Sequence, residues 1–78
     1  MYYSTYFIIK QTNPHHCDYY YEGPTKSGNI ALHYNKSRAK LYSSVEEANR
    51  DKKLLETFHS TSEDTWTVET VRKKAQNI

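Results

Sequence analysis

Ser43-Ser44-Val45-Glu46-Glu47-Ala48 is the stretch of this 78-residue chain that decides the fold, because it marks the start of a helix. Each serine is followed three residues later by a glutamate, so two overlapping capping boxes are present. In either box a hydroxyl accepts a free N–H and a carboxylate lies at the positive end of the helix. The helix is predicted to end near Phe58. Its apolar stripe consists of Val45, Ala48, Leu55 and Phe58, with Leu54 at the edge.

Strands are predicted on both sides of this helix, in segments where β-branched and aromatic residues dominate. They cover residues 3–12, 18–22, 29–34 and 65–72. Asn13-Pro14 ends the first strand, and a loop of residues 23–28 that holds both glycines joins the second strand to the third as a hairpin. The order β-β-β-α-β predicts an α+β domain, a small antiparallel sheet of three or four strands packed against one helix. Residues 1–78 form a single domain, with 72–78 a frayed tail. The predicted core comprises Ile30, Leu32, Val45, Ala48, Leu55, Phe58, Trp66 and Val68.

Composition restricts the classes of function. Hydrophobic residues make up 36% of the chain, and eight tyrosines carry much of its apolar area, so part of the aromatic surface is expected to stay exposed. A single cysteine excludes an intramolecular disulfide and any zinc site with more than one thiolate. The start of the chain does not resemble a signal peptide, and no run approaches the roughly 20 apolar residues that span a bilayer. We therefore expect a soluble cytoplasmic protein with no membrane contact.

The middle of the chain carries the basic charge. Residues 23–45 contain four basic and no acidic residues, while the net charge of the whole chain is only +2. In an extended conformation Lys36, Arg38 and Lys40 would line one face, because side chains alternate along a strand. Tyrosines lie within this segment and on the neighbouring strand. The predicted partner-binding surface therefore consists of Tyr19, Tyr21, Tyr34, Lys36, Arg38, Lys40 and Tyr42.

Three interpretations of this surface remain open. It can be a solvated basic edge that keeps the sheet from pairing with other sheets. It can be a protein-binding face, since interfaces favour Tyr and Arg. It can also bind single-stranded nucleic acid, with cations on phosphates and rings stacked on bases. A net charge of +2 is small for a dedicated nucleic-acid binder.

Metal binding and catalysis find little support in the sequence. His15-His16-Cys17-Asp18 offers imidazole, thiolate and carboxylate groups, but adjacent residues seldom converge on one ion. Cys17 with His15, His16 or His33 could form a thiol–imidazole pair, although nothing in the local pattern predicts that geometry. There is no glycine-rich phosphate loop and no nucleophile elbow. We therefore predict no metal site, no cofactor and no enzymatic activity.

The step from residue 38 to residue 48, Arg-Ala-Lys-Leu-Tyr-Ser-Ser-Val-Glu-Glu-Ala, follows an opening strand that contains Tyr6-Phe7-Ile8-Ile9. This arrangement resembles small phage-encoded accessory proteins. The resemblance implies a stand-alone product in a bacterial host cytoplasm that blocks a defence or regulatory complex by steric occlusion, as anti-CRISPR and other anti-defence inhibitors do. Inhibitors that mimic nucleic acid are strongly acidic, whereas this chain is slightly basic.

The sequence thus predicts a non-catalytic binding protein, a phage-type inhibitor whose partner is a host protein or protein–nucleic-acid complex. The alternative is a small RNA- or single-stranded-DNA-binding module that uses the same surface. Exposed tyrosines and an unprotected sheet edge also favour a homodimer.

Overall fold

A computed structural model of the protein describes residues 3–74. Its elements are β1 (Tyr3–Asn13), β2 (His16–Pro24), β3 (Ile30–His33), a 3-10 turn (Lys36–Arg38), α1 (Val45–Phe58) and β4 (Thr65–Lys74). The four strands form one antiparallel sheet in the order β3-β2-β1-β4. The predicted α+β class and the order β-β-β-α-β are confirmed.

The strand boundaries differ from the predicted ones in two informative places. A tight turn joins β1 to β2, with Asn13 opposite His16, so β2 begins at His16, two residues before the predicted start at residue 18. β4 continues to Lys74 opposite Tyr3, which means that residues 72–74 of the predicted frayed tail belong to the sheet. Residues 75–78 of that predicted tail lie outside the described residues.

The start of α1 uses one of the two capping boxes. Ser44 is the N-cap, and its hydroxyl oxygen accepts the backbone N–H of Glu47 at 3.2 Å. Ser43 instead donates its hydroxyl to the Glu47 carboxylate, also at 3.2 Å. The helix ends at His59, whose backbone N–H donates to the Leu55 carbonyl at 2.9 Å. Local sequence therefore sets the start of the helix.

The core lies between α1 and the inner face of the sheet, the face that carries Ile9 and Trp66. Its buried members are Ile9, Tyr21, Tyr42, Ala48, Leu55 and Trp66. Ile30, Leu32 and Val68 pack against this cluster as predicted. Val45 and Phe58, however, are 38% and 72% exposed, so their predicted burial is wrong. The reason is that α1 packs on β4 and β1 through the side that carries Ala48 and Leu55, and Val45 and Phe58 lie on opposite flanks of that side.

A short segment, residues 39–42, is inserted into the sheet between β1 and β2. The two strands pair from Asn13 only as far as Lys10 and Tyr20. Beyond that point, Phe7 and Tyr42 exchange two backbone hydrogen bonds of 2.9 Å. The Lys40 N–H donates to the Tyr21 carbonyl at 2.8 Å. The inserted segment therefore joins the diverging strands and places the Tyr42 ring in the core.

Candidate functional site

Two of the predicted partner-binding tyrosines belong to the core. Tyr21 is 6% exposed and Tyr42 is 4% exposed. The Tyr42 hydroxyl donates to an Asp51 carboxylate oxygen at 2.6 Å, and burial together with this bond raises the pKa of Tyr42 well above its ordinary value. Burial also raises the pKa of Tyr21. Neither ring can reach a partner, so the structure removes both residues from the predicted contact surface.

The three basic residues of the middle segment do not line one face, contrary to the prediction. Residues 36–38 form a 3-10 turn because the Asn35 side chain caps it, accepting the Ser37 N–H at 3.0 Å. Lys36 and Arg38 reach acids that project from the outer face of the sheet. Lys40 instead points toward the helix, where its ammonium lies 3.6 Å from the Asp51 carboxylate.

Acidic residues from distant parts of the chain compensate these cations. Arg38 Nε lies 2.7 Å from a Glu22 carboxylate oxygen. Glu69 lies 3.0 Å from the Lys10 ammonium and 3.6 Å from that of Lys36. The hydrogen bond from Lys10 holds the pKa of Glu69 below its usual range, and Glu69 in turn raises the pKa of Lys10. The basic segment is therefore close to neutral as a surface, although its sequence contains no acid.

The remaining predicted tyrosines, Tyr19 and Tyr34, differ in exposure. Tyr34 is 69% exposed, and its ring stacks on His33 with 4.5 Å between the centroids. Tyr19 is partly buried on the inner face, opposite Gln11, and contacts the His16 ring with 4.7 Å between the centroids. Tyr34 and the 3-10 turn that follows it form the part of the predicted surface that is accessible together. We call Tyr34, Lys36 and Arg38 the outer-turn patch.

A second accessible surface was missed from the sequence. Leu54 and Phe58, one helical turn apart on α1, are 51% and 72% exposed. A groove between the helix and the β2–β3 hairpin lies beside Leu54, which lines it together with Pro24 and Ile30. We call Leu54, Phe58 and Ile30 the helix face. The available signal was the place of Leu54 at the edge of the predicted apolar stripe, where a helix lying on one sheet leaves a side chain partly exposed.

A third group of polar side chains surrounds the β1–β2 turn. His15 pairs with Glu63. Asp64 accepts hydrogen bonds from the Asn13 amide at 2.7 Å and from the Thr61 N–H at 2.8 Å, and these bonds hold the pKa of Asp64 low. This network ties the end of β1 to the loop before β4.

The cysteine and histidine motif stays extended at the surface. Cys17 is exposed as a free thiol, and His16 Nδ1 lies 2.7 Å from the Cys17 backbone carbonyl oxygen. Within residues 3–74, no three His, Cys, Asp or Glu side chains come together in a group that could hold a metal ion. The arrangement at Cys17 therefore gives no geometric basis for a thiol–imidazole pair.

Comparison of the chain with protein-family models, with curated proteins and with solved structures finds no match. In the described part of the chain, no helix has the length and apolar character needed to cross a membrane.

Proposed function

We propose that this protein is a non-catalytic binding protein that attaches to a bacterial host protein or protein complex and blocks it by steric occlusion. The observation that carries the proposal is the helix face. Leu54 and Phe58 are the two most exposed aliphatic and phenyl side chains of the described residues, and they are neighbours on the same helix.

The energetics of this face favour a protein partner. Covering a Leu or Phe side chain releases about 1.5–3 kcal/mol relative to leaving it in water. The groove beside Leu54, lined also by Pro24 and Ile30, offers space for an apolar side chain of the partner. Interface hot spots have this form, an aromatic or aliphatic anchor next to a concave surface. The helix face therefore supplies binding energy without any catalytic group.

The outer-turn patch suits a supporting role in such an interface. Lys36 and Arg38 already pair with acids of the same chain, so neither brings an uncompensated positive charge. These ion pairs leave little net positive charge to attract a phosphate backbone, whereas the remaining N–H groups of Lys36 and Arg38 can donate to acceptors of a protein. Tyr34 adds an exposed ring with a polar tip, the kind of side chain that interfaces favour.

The test is affinity capture of a tagged protein from a nuclease-treated bacterial lysate. We expect to recover a stoichiometric protein partner. The amount recovered should fall at least tenfold with Phe58→Ser and with Leu54→Ser. Lys53→Ser is the matched control, since Lys53 is exposed on the same helix and should leave capture unchanged. Recovery of no stoichiometric partner, or equal capture by Phe58→Ser and the control, would overturn the proposal.

Single-stranded nucleic acid binding is the second candidate, and one observation favours it at a different place. The Arg72 guanidinium lies over the Tyr3 ring, 5.4 Å from its centroid, and Lys73 and Lys74 follow at the end of β4. Tyr3 is 53% exposed and shares its face of the sheet with Arg72 and Lys74, so a base could stack near these two cations.

Fluorescence anisotropy with a labelled oligonucleotide separates the two candidates. Binding that weakens steeply with salt and is reduced by Lys73→Gln/Lys74→Gln would favour nucleic acid, because phosphate contacts release counterions. Absence of binding at low salt excludes this candidate. Phe58→Ser should have no effect on the oligonucleotide.

A further inference from the structure

Among residues 3–74, no strand pairs with the outer edge of β4. In the sheet formed by residues 3–74, this ten-residue strand is terminal and pairs with β1 alone. An exposed edge of this length presents a row of backbone donors and acceptors to any strand that can align with it.

The backbone groups that face outward can be assigned from β1. The backbone N–H and C=O of Phe7 both form hydrogen bonds with Tyr42, so these two groups point away from β4. Phe7 and Thr70 are therefore a non-hydrogen-bonded pair of the β1–β4 ladder, and the Thr70 N–H and C=O point to the free edge. Every second residue of the strand shares this direction. The outward-facing groups belong to Trp66, Val68, Thr70, Arg72 and Lys74.

We propose that β4 pairs antiparallel with β4 of a second copy of this chain, so that the two sheets become one continuous sheet across a two-fold axis. In such a dimer the two-fold axis passes beside one residue of β4, and residues equally far from it on either side lie opposite each other, on the same face of the sheet. Only a few choices of the central residue, and so only a few registers, are possible. Charge then decides among them.

A register centred on Val71 places opposite charges, and no like charges, across from each other. It places Glu69 opposite the second copy's Lys73, an opposite-charge pair, and packs Val71 against Val71 on the outer face. Centring on Glu69 or on Arg72 would place like charges opposite each other at the axis. Centring on Thr70 would place Glu69 opposite Val71, with no opposite-charge pair at that position.

The proposed register also uses the outward-facing backbone groups. Thr70 lies opposite the second copy's Arg72, and Val68 lies opposite its Lys74. Together with their symmetry mates, these pairs would form on the order of eight backbone hydrogen bonds. The basic end of each strand, residues 72–74, then meets the end of the other strand that holds the carboxylate. The same basic residues would repel each other in a parallel arrangement, so they select the antiparallel one.

Disulfide trapping tests the register directly. In a Cys17→Ser background, Val71→Cys should cross-link two copies under mild oxidation, because opposed Cβ atoms at the axis lie about 4.5–5.5 Å apart. Thr67→Cys is the matched control, since Thr67 is on the same face and is exposed, but would lie roughly 27 Å from its counterpart at about 3.4 Å per residue. Equal cross-linking of both variants would contradict the register.

Sedimentation equilibrium tests the dimer itself. Thr70→Pro removes an N–H that faces the free edge and leaves the bonds to β1 in place, so we expect at least tenfold weaker association with an unchanged circular dichroism spectrum. Lys73→Glu should also weaken association, because it would place a glutamate opposite Glu69 of the second copy. A wild-type protein that is monomeric at 100 μM overturns the proposal. Phe58→Ser should not alter association, so this result is separable from a failure of partner capture.

Discussion

Tyr42→Phe isolates the contribution of one buried hydroxyl, at a residue that the sequence placed on the binding surface. The hydroxyl donates to Asp51 at 2.6 Å, and the ring is 4% exposed between β1 and α1. The substitution keeps the ring and its packing. It removes only the bond that ties the inserted segment to the helix.

The expected loss follows from the charge and the exposure of Asp51. A hydrogen bond to a charged group contributes about 1.5–3 kcal/mol to stability. The Asp51 side chain is 28% exposed and keeps the Lys40 ammonium at 3.6 Å, so its carboxylate is not left without solvation. We therefore expect Tyr42→Phe to lower the free energy of unfolding by about 1.5–2 kcal/mol, the lower part of that range. For a domain of this size the loss corresponds to a Tm lower by roughly 6–16 °C.

Urea denaturation followed by Trp66 fluorescence measures this change, with Tyr34→Phe as the control. The control removes an exposed hydroxyl and should change stability by less than about 0.5 kcal/mol. Combining Tyr42→Phe with Asp51→Asn should give a total loss well below the sum of the two single losses, because both remove the same bond. A Tyr42→Phe protein as stable as wild type would refute the assignment of this bond to the core.

Further predictions concern the helix and the outer face. Ser44→Ala removes the N-cap and should lower the free energy of unfolding, measured by urea denaturation, by about 1 kcal/mol. Ser43→Ala should lower it by only a few tenths of a kcal/mol. Leu55→Ala should cost about 2–5 kcal/mol in the same assay, while Phe58→Ser should stay within about 0.5 kcal/mol; similar losses for both would place the helix in a different orientation. The lowered pKa of Glu69 means that its ion pairs stabilise the fold above the ordinary glutamate pKa and that this contribution disappears as the pH falls through the lowered value. Glu69→Gln should therefore lower stability by about 0.5–1 kcal/mol at pH 7 and make no difference near pH 2, and a pH-independent loss would contradict the ion-pair explanation.

The elements were predictable because their signals are local. The serine–glutamate spacing sets the start of α1, and the turn residues set the hairpins. Side chains alternate along a strand, so the sequence alone indicates that Tyr19 and Tyr21 share one face of β2, as they do. Alternation could not show that Tyr21 lies beneath the helix and Tyr19 beside it, because that difference depends on where α1 crosses the sheet.

The candidate site was less predictable because it depends on distant contacts. The acid-free middle segment looks basic in sequence, yet Glu22, Asp51 and Glu69 reach it from a strand, a helix and another strand. No local pattern in the sequence predicts these ion pairs. Likewise, the exposure of Phe58 follows from the tilt of the helix toward β1 and β4, which tertiary packing alone determines.

The inserted segment has a consequence for how the molecule opens. Its Tyr42 backbone holds Phe7 of the central strand, and α1 begins at Val45, shortly after it along the chain. Unwinding the first helical turn would loosen that segment and separate β1 from β2 at the same time. Amide hydrogen exchange at Phe7, Tyr42 and Ala48 should then report a single opening event with a common protection factor, so that the protein behaves as one cooperative unit from the hairpin to the helix.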